Sequence, residues 1–303
     1  MMSWWLPIGR GLTLTAGVCT DRGRRRQHNE DNYLACAPVF LVADGMGGHL
    51  GGEIASSTAL SAFSPLIDAT GVEAAELLAV VDDAQLRVSA LDRGIPPRGT
   101  GPGGRPPGCT LTGVAVHDQA GTPCWLVVNV GDSRTYRMAD GVLTQISVDH
   151  SEIQDLIDSG TVDASVARSS GRRNVITRAI GAGLGATHQP DLFVVAMADR
   201  DRMLVCSDGL TNELTDQLIA AILGSTPDPQ QAAEVLVTTA CEAGGRDNVT
   251  VVVVDAVLSG ASDADPPGDD EDWWGDTIPN PGRSVAVPLA QAAGALDPPD
   301  ARS

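Results

Sequence analysis

Acidic residues recur in this chain where apolar runs stop. Val39 to Ala43 delivers Asp44-Gly45, Trp125 to Val130 delivers Gly131-Asp132, and Met203 to Ser207 delivers Asp208-Gly209. The last long apolar run starts just after Gly245-Arg246-Asp247-Asn248. Asp-Gly after a strand is ordinarily a turn, and one instance alone would mean no more than that. Several such carboxylates gathered at one rim would repel each other unless something neutralised them. Hard oxygen donors without Cys or His among them favour Mg2+ or Mn2+. Upstream, Arg22, Arg24, Arg25 and Arg26 precede Asn29-Glu30-Asp31. This cluster reads either as a solvated charge run or as an arginine fork for phosphate beside metal-binding acids.

Other chemistries find little support. The 303 residues hold 20 basic side chains, all Arg, against 39 acidic ones, for a net charge of -19. Without Lys there is no Walker A site, no typical kinase lysine and no Schiff base. So acidic a chain also lacks the basic footprint of general nucleic-acid binding. Arg in place of Lys, with abundant Ala and Gly, is in keeping with a GC-rich bacterial coding sequence. The six Cys form no C-x-x-C pair and the five His no zinc spacing. Cys19 and Arg25 match C-x5-R, yet the His, Gly and helix that a cysteine-phosphatase loop needs are absent around them. The G-x-G-x-x-G of residues 99–104 follows a helix inside a Pro-rich stretch, which is the wrong context for a dinucleotide site. Neither a secretion signal nor a run approaching the ~18 apolar residues of a membrane span is visible. A cytoplasmic protein with no membrane or nucleic-acid partner is expected.

These acids need elements to hold them. Val39–Ala43, 111–116, 125–130, 135–138, 175–180, 192–197, 203–206 and 249–257 read as strands. Ala139-Asp140-Gly141 makes a hairpin into 142–146. Residues 53–67, 73–91, 216–223 and 229–243 read as helices; in the second, Leu77, Val81, Ala84, Val88 and Leu91 share one face. Gly94 to Gly108, with eleven Gly or Pro in fifteen residues, reads as a loop. Many antiparallel strands with two groups of helices make an α+β fold rather than a doubly wound sheet. With 43% hydrophobic but only 3% aromatic residues, the core must be aliphatic. Three segments are expected: an N-terminal extension over 1–10, one domain over 11–258, and a disordered tail over 259–303. That tail holds nine acids against two Arg, too little apolar surface to offset its ordering entropy.

Seven blocks then occur in order: Arg26 to Asp31, Asp44 to His49, Asn129 to Arg134, Asp149-His150-Ser151, Asn174 to Gly181, Ser207-Asp208-Gly209 and Arg246 to Thr250. Together they resemble the PPM family of metal-dependent serine/threonine protein phosphatases (type 2C) in its compact bacterial form, over Gly11 to Leu258. The resemblance implies a four-layer α-β-β-α sandwich of two antiparallel sheets flanked by helices. It also implies two core Mn2+ or Mg2+ ions and a possible third. By motif, Asp44 bridges two ions and the Gly45 carbonyl binds one of them. Asp208 and Asp247 complete the first site, Glu30 and Asp31 help around the second, and Asp132 helps bind the third. Arg26 holds the substrate phosphate, and residues 151–174 form a flap. Met46 stands where eukaryotic relatives often carry a proposed general-acid His, and Gly108-Cys109-Thr110 replaces the usual Gly-Thr-Thr.

The function so implied is hydrolysis of phosphoserine and phosphothreonine in proteins by direct attack of a metal-bridging hydroxide. Phosphorylated proteins, a Ser/Thr kinase included, are the expected partners, with a phosphothreonine reader met through Thr277 in the tail. The alternative is a pseudophosphatase, or a dedicated regulator phosphatase that binds one phosphoprotein. A complete set of Asp44, Asp208 and Asp247 favours the enzyme.

Overall fold

The computed structural model describes residues 2–9, 11–47, 51–91, 106–163, 175–183, 189–259 and 287–288. In chain order the first strands are β1 (Met2–Leu6), β2 (Leu12–Asp21), β3 (Asn32–Cys36), β4 (Val39–Ala43), β5 (Gly45–Met46), β6 (Gly108–Cys109), β7 (Leu111–Gln119) and β8 (Thr122–Val130). They are followed by β9 (Arg134–Ala139), β10 (Val142–Gln145), β11 (Ile180–Gly181), β12 (Asp191–Ala196), β13 (Arg202–Cys206), β14 (Val249–Leu258) and β15 (Val287–Pro288). The helices are α1 (Gly51–Ser61), α2 (Ala74–Leu91), α3 (Glu152–Asp158), α4 (Asp208–Thr211), α5 (Asp216–Ser225) and α6 (Pro229–Ala243).

One six-stranded sheet runs β1-β2-β14-β13-β9-β10 and another β15-β12-β8-β7-β4-β3, with a small sheet β11-β6-β5 beside them. Their strand pairs are antiparallel. The two-residue period of a strand decides what each face meets. On β4, Phe40 and Val42 join a core with Val252 and Val254 of the opposite sheet, together with Trp125 and Met203. Val39, Leu41 and Ala43 turn the other way, onto Ala55, Ala59, Leu77 and Val81 of α1 and α2. On β14, Val251 and Val253 face Ile219 and Leu223 of α5 and Leu236 and Ala240 of α6. The two sheets thus pack on each other, and these helix pairs cover their far faces. Both faces of β4 and β14 are buried, which is why those strands are nearly continuous apolar runs rather than alternating ones. Each fully buried Val or Leu contributes about 1.5–3 kcal/mol of transfer free energy.

Helix ends follow local chemistry. Asp228 caps α6 by accepting the Gln231 N–H at 2.8 Å, and Pro229 follows at a position where no N–H is needed. The C-terminus of α5 is closed by Arg202, which donates to Leu223 O and Thr226 O at 2.7 Å while it grips Asp255. The helix expected over 53–67 stops at Ser61 and gives way to a 3-10 turn, Ser64–Leu66, because Pro65 favours a fresh helical start. The strand expected over 175–180 is not one: only Ile180–Gly181 pairs in a sheet, with Ile176 bridging Ser151. The backbone there is committed elsewhere, since Val175 O accepts from Glu152 N–H and Thr177 N–H donates to His150 O, each at 2.9 Å.

Met2–Leu6, ahead of the boundary expected at residue 11, pairs with Leu12–Ala16. Of the expected acidic tail, Ser259 donates its N–H to Gly11 O at 2.8 Å, and Val287–Pro288 pairs with Phe193–Val194. Trp273-Trp274, Thr277, most of the Gly/Pro loop and the later part of the expected flap lie outside the described residues. Among those described, no helix is long and apolar enough to cross a membrane.

Candidate active site

Strand register alone carries the acids to one end of the two sheets. Asp21 pairs with Val249, so the turn after β2 meets the Arg246-Asp247-Asn248 corner before β14. Asn32 pairs with Ala43, setting Asp31 beside Asp44. Cys206 pairs with both Arg134 and Val251, which brings Asp208 alongside Asp132 and Asn248. Leu111 pairs with Val130, placing Thr110 against Gly131.

Hydrogen bonds then fix each carboxylate. Thr110 Oγ1 accepts the Asp44 amide N–H at 3.0 Å, and Asp44 O accepts the Thr110 N–H at 2.9 Å. Gly45 pairs with Cys109 across β5 and β6. Ser207 Oγ donates to Asp31 Oδ2 at 2.7 Å, and Asn212 Nδ2 donates to Asp208 Oδ2 at 2.8 Å. Asn248 staples the arginine loop in place: its Nδ2 donates to Arg22 O and His28 O, and its Oδ1 accepts from Glu30 N–H, all at 2.9 Å. Gly23 makes that loop possible, with φ of 77° and no room for a Cβ against Asp247 O. Arg26 emerges from the loop half exposed, its Nη2 donating to Asp247 Oδ2 at 2.6 Å. It also lies near Asp44 and Glu30. Arg246 clamps Glu213 through Nε at 2.9 Å and Nη2 at 3.0 Å, tying the Asp247 corner to the end of α4.

The electrostatics of this end are those of crowded acids. Burial pushes the Asp31 carboxyl up to about 7, and the charges of Asp208 and Asp247 push the same way. Asp208 is raised to about 6 by burial and by Asp247, with Asp44 as a direct neighbour. Asp44 stands well above the usual range through burial and the charges of Asp31, Asp208, Asp132 and Asp247. Asp132 is raised by burial, Asp208 and Asp149. Asp31 Oδ1 and Asp208 Oδ1 are buried without any hydrogen-bond partner. Buried carboxylate oxygens without donors are costly, and a hard cation is a partner that would satisfy both. Among the described residues no three His, Cys, Asp or Glu side chains already stand as a closed ligand set. The donors present, all oxygen and near one another, fit Mn2+ or Mg2+.

Every expected site residue (Arg26, Glu30, Asp31, Asp44, Gly45, Asp132, Asp208 and Asp247) thus falls at this one end. The holders of these groups, namely Thr110, Ser207, Asn212, Glu213 and Asn248, had no assigned role in the sequence. Only the adjacency of Ser207 to Asp208 and of Asn248 to Asp247 hinted at one. Cys19 of the rejected C-x5-R pair sits in β2, and burial with Glu234 and Asp21 raises its pKa, the reverse of an activated thiol.

A family model described as protein phosphatase 2C matches residues 39–249. The serine/threonine protein phosphatase PstP of Mycobacterium tuberculosis is 36% identical over 291 residues, 92% of this chain and 53% of that protein. The chain therefore spans about half the length of that curated relative. The serine/threonine phosphatase stp of Listeria monocytogenes is 34% identical over 254 residues, 79% of this chain and 95% of its own. The crystal structure of the M. tuberculosis phosphatase PstP/Ppp superposes with a TM-score of 0.69 at 37% identity, covering 80% of this chain and 98% of its own. The catalytic domain of PstP in complex with two manganese ions gives 0.68 at 36% identity, over 82% of this chain and 100% of its own. Such agreement runs from the first buried strand of one sheet to the last strand of the other, and the chain belongs to the protein phosphatase 2C family.

Proposed function

We propose that this domain is a metal-dependent phosphatase that hydrolyses phosphoserine and phosphothreonine in proteins, in the cytoplasm. The observation that carries the reading is the cluster of mutually repelling acids with the two unpartnered oxygens of Asp31 and Asp208, set beside Arg26. Asp44, Asp208 and Asp247 would hold one ion, and the Gly45 carbonyl would bind one of the two ions that Asp44 meets. A second ion would be held by Asp44 with Glu30 and Asp31, partly through water, and a third, weaker one by Asp132 with Asp208. Bound Mn2+ or Mg2+ supplies water of lowered pKa and neutralises charge that develops on the phosphoryl group.

The chain's own groups do the rest. Arg26 keeps one nitrogen on Asp247 and, half exposed, has donors left for phosphate oxygens, which orients the phosphoryl group. Ser207, Asn212 and Thr110 hold the acids in place before substrate arrives, so less reorganisation is needed during reaction. Cys109, across from Gly45, is fully buried, and burial with the Asp44 charge pushes its thiol pKa up, so it offers no thiolate nucleophile. The family resemblance implies that water attacks phosphorus directly. Each turnover consumes one water and yields inorganic phosphate and a free Ser or Thr hydroxyl, with no phosphorylated enzyme residue. Phosphorylated proteins, a Ser/Thr kinase among them, are the proposed partners.

Phosphate release from a phosphothreonine peptide, with Mn2+ and then with excess chelator, tests this reading. Release that needs the metal, with one heavy oxygen entering the phosphate from labelled water, is expected. No release from phosphoserine or phosphothreonine peptides at any Mn2+ concentration would leave the phosphoprotein-binding alternative standing instead.

A further inference from the structure

We propose that His150 is a positioning residue for Asp132, acting through the polar groups of Gly131 and through a fixed ring tautomer. This rests on the assignment of Asp132 as an ion ligand. His150 is 4% exposed, follows Asp149 and is not among the candidate ligands. It nevertheless takes both backbone groups of Gly131. The Gly131 N–H donates to His150 Nδ1 at 3.2 Å, and the His150 N–H donates to Gly131 O at 2.9 Å. An Nδ1 that accepts carries no proton, so in the neutral ring the proton sits on Nε2. Nε2 lies 3.0 Å from Asp191 Oδ2, to which the protonated nitrogen donates, and 3.2 Å from Arg178 Nη1, which in this tautomer is a close contact and not a hydrogen bond. Arg178 Nη1 donates to Asp191 Oδ1 at 2.9 Å, so His150 and Arg178 share one carboxylate. Burial works against the Asp191 charge, but the hydrogen bonds from His150 and Arg178 and the Arg178 charge outweigh it and hold that carboxyl below the usual range.

The turn so gripped has little freedom of its own. Gly131 has φ of 109°, and a Cβ there would meet Thr110 Cγ2 at 2.6 Å. Beyond Asp132, Arg134 is forked by Asp149, with Nε to Oδ1 at 2.9 Å and Nη2 to Oδ2 at 2.7 Å. Two consecutive residues, Asp149 and His150, therefore hold the turn that carries Asp132 at both of its ends. The His150 carbonyl accepts from Thr177 N–H at 2.9 Å, so the same residue ties this turn to the segment around Arg178. A ligand carboxylate with its approach fixed in this way binds a weak ion without first paying to order the turn.

The two amide replacements separate the halves of the ring. In His150→Asn the side-chain oxygen falls near Nδ1 and keeps an acceptor for the Gly131 N–H, while the link to Asp191 is lost. In His150→Gln the amide reaches toward Asp191 and the acceptor beside Gly131 is lost. The full chain and these variants, with Asp132→Ala as reference, would be measured for Mn2+ bound per chain by equilibrium dialysis. Melting temperature and the Mn2+ concentration for half-maximal phosphopeptide turnover complete the set. Asp132→Ala is expected to lose one weak ion and keep the tight ones. His150→Gln should match it, needing roughly tenfold or more Mn2+, whereas His150→Asn should keep the weak ion. His150→Gln with the wild-type number of ions and Mn2+ dependence, beside an Asp132→Ala that has lost an ion, overturns the inference and leaves the phosphatase reading intact. Equal loss in both His150 variants also overturns it, because the acceptor would then not be the device. An Asp132→Ala unchanged in binding removes the ligand assignment and the inference together. Where His150→Gln does not fold, His150→Asn decides: retention of the weak ion supports the proposal and loss overturns it.

Discussion

The hydroxyls of Thr110 and Ser133 lie 2.7 Å apart, and the same Thr110 oxygen accepts the amide N–H of Asp44 at 3.0 Å. One buried threonine therefore joins the turn that carries Asp44 to the turn that carries Asp132. Cys109, beside it, replaces a threonine usual in the family and donates only a long sulfur contact to Ala55 O at 3.8 Å. The hydroxyl that couples the two turns is thus retained at the position where it is used.

Thr110→Val keeps the shape and removes that oxygen. It leaves the Asp44 N–H and the Ser133 hydroxyl short of a partner, and stability should fall by about 1–3 kcal/mol. Chemical denaturation in the presence of Mn2+ would measure the loss. A wild-type midpoint would mean that water replaces the hydroxyl.

Asp44→Asn should have opposite effects on the empty and the loaded protein. The neutral amide relieves repulsion from Asp31, Asp208, Asp132 and Asp247, so the melting temperature in chelator should rise by a few degrees. Metal-dependent peptide hydrolysis should fall by about a thousandfold, on the order of 4 kcal/mol in barrier. Near wild-type turnover with Mn2+ would remove Asp44 from the shared position.

The pH dependence of the metal-free protein follows from the raised carboxyls. Asp31 at about 7 and Asp208 at about 6 hold protons in the folded state that the unfolded chain, near 3.8, has already released. Between pH 4 and 7 the folded state binds more protons, so this contribution to stability is present below pH 4 and is lost as pH rises through 6 to 7. Asp44 and Asp132 act in the same direction. In chelator, the melting temperature should drop by roughly 5 °C from pH 5.5 to pH 7.5, and Mn2+ should recover more of it at the higher pH. A melting temperature that rises over this range in chelator would contradict the crowding of these acids.

A chain ending at Ser259 tests the proposed boundary. Ser259 N–H still reaches Gly11 O at 2.8 Å, so the cut belongs after it rather than after Leu258. Pairing of Val287–Pro288 with β12 is only two residues long. Removal of 260–303 should change the melting temperature by less than about 3 °C, within ~1 kcal/mol for a domain of this size, and leave peptide hydrolysis within twofold. A larger drop would place the tail in the folded body.

How far the sequence reaches depends on the range of the physics at each position. Buried strands such as Val39–Ala43 and 249–257 and the capped helix Pro229–Ala243 were legible because periodicity, β-branching and caps act within a few residues. The ordered blocks around Asp44, Asp132, Asp208 and Asp247 were legible because each acid sits at the end of such a run. Val175 to Ile180 misled for the complementary reason: its apolar residues suit a strand, but Thr177 and Arg178 are claimed by His150 and Asp191, 27 and 13 residues away. The tertiary fold alone decided which carboxylates share one end and how strongly they repel. Those depend on strand register between segments as distant as Asp21 and Val249, and on desolvation that only packing creates. The same holds for Thr110, Ser207, Asn212, Asn248 and His150. A hydroxyl, an amide or an imidazole has no local pattern that names its partner, so its role emerges only when the sheets bring that partner within about 3 Å.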